Sequence, residues 1–198
     1  MKNNRSVLLI AGLLILVSAL YRVWDNRPIG FAPQIAMAIF GGAMIRNKKL
    51  AILLPLLSML VSDALYQLLY VNGLTEIKGF YGGQWINYLL FAGLTVFGFG
   101  MKQVNVRNVA GFGISGSLLF FLVSNFTVWL GGGGFHHPKT IAGLMMTYAD
   151  GLAFYSDYGL INGFYGNFIL GDLFFCVVLF GGFALLQKWV APQKHQLA

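Results

Sequence analysis

Ala51-Ile52-Leu53-Leu54-Pro55-Leu56-Leu57-Ser58-Met59-Leu60-Val61-Ser62-Asp63-Ala64-Leu65-Tyr66-Gln67-Leu68-Leu69-Tyr70 carries a single charged residue, Asp63, in twenty positions. About 20 mostly apolar residues in a helix cover the roughly 30 Å of a membrane's hydrocarbon core. The stretch therefore reads as a membrane span over 51–70. Asp63 then sits where a carboxylate is costly, so it reads as a functional or helix-tying group. Outward from this segment, five more spans are expected, over 6–23, 32–45, 81–101, 109–130 and 163–189. The first holds no charge before Arg22, and Pro33 suits the first turn of the second, where a missing N–H costs nothing.

The composition agrees. Of 198 residues, 58% are hydrophobic and 10% charged, with a mean hydropathy of +0.72. Soluble domains carry about 25% charged residues, and disorder needs low hydrophobicity, so neither class fits. The single Cys176 rules out an internal disulfide, a CxxC redox site and a thiolate metal cluster. The expectation is one integral membrane domain over 1–198, an all-α polytopic bundle of six spans.

The net charge of +7 would suit nucleic acid, but its placement says otherwise. With the N-terminus inside, the inner segments hold Lys2, Arg5, Arg46, Lys48, Lys49, Lys102, Arg107, Lys188 and Lys194, with no acid. The outer segments hold Arg22, Arg27, Lys78 and Lys139 against Asp25, Glu76, Asp150 and Asp157. This is a positive-inside pattern, which puts both termini in the cytoplasm. Met1 to Arg5 and Val17-Ser18-Ala19 outline a signal peptide, but the apolar run continues through Tyr21 and a polytopic chain needs none. Thr140 to Tyr155 has helical spacing. A seventh span there would put Lys188 and Lys194 outside, so 138–155 is expected as an outer amphipathic or re-entrant helix.

Small residues recur four apart at Ala38/Gly42, Gly111/Ser115 and Gly113/Ser117, a pattern that lets helices pack closely. Polar residues gather in the outer half. Asp63, Tyr66, Gln67 and Tyr70 share one face of the third span. Tyr81, Gln84, Tyr88 and Phe91 share one of the fourth, with Asn87 close by. Asn125 and Trp129 lie one turn apart in the fifth, and Tyr165, Phe168 and Asp172 follow helical spacing in the last. Polar groups in hydrocarbon must be satisfied internally, so the four stripes are expected to face inward as a polar, aromatic cup. Such a cup suits a small ligand gripped by rings and oriented by amides and carboxylates. Gly131 to Gly134 could hinge the following helix as a lid. The adjacent His136 and His137 diverge and make a weak metal signal. No cofactor or metal is expected.

Five stretches together resemble a known family. They are Pro33-Gln34-Ile35-Ala36 through Phe40-Gly41-Gly42-Ala43, Pro55-Leu56-Leu57-Ser58 through Ser62-Asp63, Ser124-Asn125-Phe126-Thr127-Val128-Trp129, His137-Pro138-Lys139-Thr140 through Gly143-Leu144 to Tyr148, and Phe168 through Leu170-Gly171-Asp172-Leu173. The resemblance is to uncharacterised bacterial six-span membrane proteins related to the substrate-capture (S) components of energy-coupling-factor transporters. It implies a bacterial inner-membrane protein that binds a vitamin-like micronutrient from outside. It also implies docking onto a membrane coupling protein driven by two ATPases. By position it implies Asp63, Asn125, Trp129, Lys139, Tyr148 and Asp172 as substrate contacts, to which the stripes add Gln67, Gln84 and Tyr88. The first span lacks the Ala-x-x-x-Ala docking pair of classical S components; Ala32 and Ala36 have that spacing at the other end. No GxxxxGK[ST] nucleotide loop occurs.

Two other functions compete with an importer's binding subunit. One is a structural or assembly subunit of a larger membrane complex. The other is an intramembrane aspartyl enzyme, whose Tyr-Asp, Gly-x-Gly-Asp and Pro-Ala-Leu signatures are missing around Asp63 and Asp172. The expectation is therefore a non-enzymatic binding protein with no catalytic residues.

Overall fold

A computed structural model describes residues 4–131 and 136–185, with side chains from Gly12 onward. Seven helices make up the regular structure among the described residues: α1 Asn4–Arg22, α2 Gln34–Met44, α3 Lys48–Val71, α4 Trp85–Gly98, α5 Val106–Gly131, α6 Ile141–Tyr158 and α7 Asn167–Cys176. A π turn, Val177–Gly181, extends α7, and the helical run reaches Leu185. Most of Gly131–Gly134 and Lys2, Lys188 and Lys194 lie outside the described residues.

Local chemistry sets the boundaries. Asn47 caps α3 by accepting from the backbone N–H groups of Lys49 and Leu50. The Asn105 side chain accepts from Asn108 N, so α5 begins at Val106, earlier than expected. Thr140 caps α6 by accepting from Gly143 N, so the helix starts at Ile141, three residues beyond Pro138. Gly83, at φ +84°, delays α4 from 81 to Trp85, and Gly163, at φ +80°, helps delay α7 to Asn167.

Three helical runs are long and apolar enough to cross a membrane: Lys48–Val71, Val106–Gly131 and Asn167–Leu185. Shorter apolar helices run over Gly12–Arg22, Gln34–Met44 and Trp85–Gly98. The six-span expectation thus meets three helices of full length. The segment expected over 32–45 yields only 11 helical residues, because Pro33 precedes α2 and Ile45 turns extended. The long helices also present leucines outward, among them Leu53, Leu57 and Leu60 on α3 and Leu118, Leu119 and Leu122 on α5. Apolar faces this extensive suit lipid rather than water.

The short α2 is the centre of the bundle and packs on α3, α4, α5 and α7. Eight of its residues, Gln34 to Gly41, are buried. Around it lies a core that includes Ile39, Phe40, Met59, Phe91, Leu94, Cys176 and Phe180. Of the three small-residue pairs, Ala38/Gly42 and Gly113/Ser117 face neighbours, while Gly111 and Ser115 point outward. Gly42 is the tightest case. A Cβ there would lie 2.8 Å from the Gly98 backbone, and it would meet the Thr95 carbonyl closer still.

Gly42→Val therefore forces α2 and α4 apart and is expected to cost about 3 kcal/mol, the upper range for overpacking. Gly93→Ala, where a Cβ meets nothing within 4 Å, should be neutral or stabilise by roughly 0.5–1 kcal/mol through helix propensity. Thermal unfolding of the two variants in one detergent measures the contrast.

Candidate functional site

Above the N-terminal end of α2 the bundle is hollow. A cavity of about 460 Å³ opens there, within the size range of small-molecule sites. Its polar lining includes Arg22, Arg27, Gln34, Asn87, Tyr155 and Asp172. Ile35, Met59, Phe91, Phe120 and Phe168 give it apolar walls. Met59 and Phe91 also belong to the central core, so the cavity ends on packed side chains. Two ring pairs flank it: Phe91 and Phe120 stack at 5.2 Å, and Tyr155 meets Phe168 at 5.0 Å.

The segment between α1 and α2 forms the rim. Gly30, at φ +85°, passes so near Phe168 that a Cβ would lie 2.9 Å from its Cα. Ile29 N donates to the Tyr158 carbonyl at 2.9 Å, which ties this rim to α6. Arg27 is held across the same turn, its Nη1 donating to the Phe31 carbonyl at 3.0 Å and its Nε to the Arg22 carbonyl at 3.3 Å.

One flank of the cavity is a closed polar network. Arg22 Nη1 lies 2.5 Å from Asp63 Oδ1 and donates to Ser62 Oγ at 2.5 Å. Asp63 Oδ2 accepts from Tyr88 Oη at 2.7 Å and from Gln84 Nε2. Tyr66 Oη donates to the Arg22 carbonyl at 2.7 Å, and the Arg22 guanidinium stands 5.6 Å from the Tyr66 ring centre. Asp63 is 1% exposed. A carboxylate at that depth needs its donors, and here one cation and two side-chain donors meet it.

The opposite flank is less complete. Asp172, 3% exposed, accepts from Ser117 Oγ at 2.6 Å through Oδ2, and its Oδ1 has no hydrogen bond to the protein among the described residues. Gln34 is 2% exposed, and neither its amide nitrogen nor its amide oxygen has a partner among the described residues. Buried polar atoms are bonded in the great majority of native structures, and each one left open costs about 1–3 kcal/mol. Gln34, Arg27 and Asp172 all face the same cavity.

The family model that matches this chain covers residues 1–194. The chain belongs to a family of unknown function, DUF6580. No curated protein and no solved structure matches it, and neither comparison supplies a link to the S components. The membership and the geometry are thus the two fixed points.

The nine residues expected at the site fall into four groups. Asp172 lines the cavity. Asp63, Gln84 and Tyr88 form the network on its flank, while Gln67 accepts from Phe80 N at 3.3 Å and anchors the α3–α4 loop. Asn125, Trp129, Lys139 and Tyr148 are outside the cavity lining and join α5 to α6. Trp129 Nε1 donates to the Pro138 carbonyl at 3.0 Å, and Lys139 Nζ lies 5.2 Å from the Trp129 ring centre. Tyr148 Oη donates to the Leu122 carbonyl at 3.1 Å, and Asn125 packs against Gly151. The polar end of α5 is met locally, Asn125 donating to the Phe121 carbonyl of its own helix at 2.8 Å, and neither Asn125 nor Trp129 is in the cavity lining. The helix expected over 138–155 is present as α6, Ile141–Tyr158, and contributes Phe154 and Tyr155 to the lining.

Three features escaped the sequence reading. Arg22 had been counted as a loop charge, Gln34 reads as an ordinary first-turn residue, and Asn167 had no motif around it. Asn167, fully buried, donates to the carbonyls of Tyr155, Ile161 and Phe164 and accepts from Ile161 N. It shapes the α6–α7 turn. His137 pairs with Asp150 at 2.5 Å, and no cluster of metal-ligating residues occurs among the described residues.

Asp63→Ala is expected to destabilise the protein by about 3 kcal/mol, because it strands Arg22 in a partly buried site. The double variant Arg22→Met with Asp63→Leu should recover most of that loss. Unfolding midpoints of wild type, both single variants and the double variant give the coupling; additive losses would mean that the pair is not a unit.

Proposed function

We propose that this protein is the substrate-binding subunit of a small-molecule importer in the bacterial inner membrane. In this reading six helices, α1 to α5 and α7, form the membrane bundle, with both termini cytoplasmic. The cavity then opens outward beneath α6. The observation that carries the proposal is the buried, unpartnered amide of Gln34 on a cavity of about 460 Å³. An amide left open inside hydrocarbon is costly unless something enters to bond it. The basic residues concentrated in the expected inner loops support the orientation. The resemblance to S components supports an importer, with a coupling protein and its ATPases as partners and a vitamin-like compound as cargo.

Binding accounts for the geometry better than catalysis does. Asp63 bonds Arg22, Gln84 and Tyr88, whereas Asp172 bonds Ser117, and the two aspartates share no hydrogen bond. An aspartyl dyad needs two carboxyls sharing a proton at close range.

Gln34→Met keeps the side chain's length and removes both amide atoms. Purified in lipid nanodiscs, this variant should lose a co-purifying small molecule at least tenfold, with thermal stability unchanged or raised. Denaturing release followed by mass spectrometry measures the occupancy. A stable variant that keeps full occupancy would remove Gln34 from the site. A large loss of stability without change in occupancy would make it a packing residue.

A further inference from the structure

The ion pairs among the described residues are Arg22–Asp63 and His137–Asp150. Arg27 and Asp172 belong to neither, yet both line the cavity. Arg27 spends two nitrogens on backbone carbonyls, which fix its guanidinium without neutralising it. Asp172 has only the Ser117 hydroxyl, a neutral donor. Tyr155 lies where both are felt: burial pushes its hydroxyl up to about 12, the charge of Asp172 adds to the rise, and the charge of Arg27 opposes it. Among the described residues the cavity thus holds one guanidinium and one carboxyl group without charged partners, with Tyr155 in the same lining. Buried charges are ordinarily paired.

We infer that the cavity takes a zwitterionic amine–carboxylate, its carboxylate on Arg27, its ammonium on Asp172 and a polar group of its body on the Gln34 amide. This rests on the capture reading above and names the class of compound captured. Arg27 retains Nη2, which makes no hydrogen bond among the described residues, to donate to a carboxylate. Asp172 retains Oδ1 to accept from an ammonium. The rings of Phe91, Phe120, Phe168 and Tyr155 suit a flat or apolar body, and their faces also attract an ammonium. A mono-anion would leave Asp172 unmet, and a simple amine would leave Arg27 unmet. One ligand bearing both groups completes both charges and keeps the site neutral within lipid.

The test uses the full chain in nanodiscs. Compounds released by denaturation are identified by mass spectrometry before and after acylation of amines and esterification of carboxylates. The expected result is one stoichiometric compound that reacts in both ways. Its occupancy should fall at least tenfold in Arg27→Gln and in Asp172→Asn, and stay unchanged in the outward-facing Leu118→Ala. Arg27→Lys, which keeps the charge, should retain more than Arg27→Gln. Should Asp172→Asn fail to fold, the Arg27 pair and the two derivatisations still decide. A stoichiometric compound lacking either group would overturn the inference and leave capture standing, as would occupancy indifferent to Arg27. A protein that releases no small molecule would overturn both.

Discussion

The central helix is shorter than the helices around it, and the rest of the molecule follows from that mismatch. At about 1.5 Å per residue, the 11 residues of α2 rise roughly 16 Å. The 24 of α3 and 26 of α5 rise about 36 and 39 Å. A short rod enclosed by long ones leaves its ends unfilled. At one end Phe40, Phe180 and Phe183 close ring to ring, at 5.1 and 5.8 Å from Phe40. At the other end the chain that leads into α2 turns across the top as a rim, and the hollow remains beneath it. Close backbone contact at Gly42 holds α2 in place, so the hollow cannot collapse by letting α2 rise. The cavity therefore follows from the packing and does not depend on any one residue that lines it.

Charges are treated in two ways around that hollow. Asp63 receives a guanidinium, a phenol and an amide, and through them it ties the end of α1 to α3 and α4. A carboxylate so fully met gains little by bonding anything else, so it serves the frame. Asp172 and Arg27 are only partly met, and the Gln34 amide is not met at all among the described residues. Positions that leave bonding capacity unused while the backbone holds them still are the ones able to select a ligand. The contrast lies between two aspartates at similar depth, and neither residue type nor burial would separate them.

Much of this was legible in the sequence, and the failures have specific physical causes. The apolar runs and helical spacing give the bundle, and the stripes on the third and fourth spans meet, as Asp63, Gln84 and Tyr88 demonstrate. Helix length is overestimated at α2, α4 and α7, whereas α3, with Pro55 inside it, and α5 run slightly beyond the expected bounds. Hydropathy has no term for the left-handed turn at Gly83 or the break after Met44. Arg22 reads in the sequence as one of the outer-segment charges, but it turns inward to meet Asp63 on α3. Gln34 gave no sign at all. An uncharged polar residue in a first helical turn normally has water available, and only the enclosure of α2 removes that water. Asn125 and Trp129 were assigned to the cup because the sequence cannot say which neighbour a polar face meets, and here it meets its own helix, α6 and the segment leading into α6.

That assignment of α6 also determines how the cavity can be reached. This helix is held to α5 at its middle by Tyr148 on the Leu122 carbonyl and by Asn125 against Gly151, and the segment leading into it by Trp129 on the Pro138 carbonyl. Its last turn is held to the rim by Ile29 N on the Tyr158 carbonyl and to α7 by the Asn167 amide on Tyr155. A helix held at its middle and at its last turn does not swing freely as a lid. The rim is held by packing, with Gly30 close against Phe168 and Gly171 close against the Gly30 backbone. Between Pro28 and Pro33 it makes one backbone hydrogen bond to α6 and one within its own turn, Phe31 N to the Pro28 carbonyl at 3.1 Å. Arg27 is rooted at the start of that segment, so a ligand carboxylate bonded there would add a tie between rim and cargo.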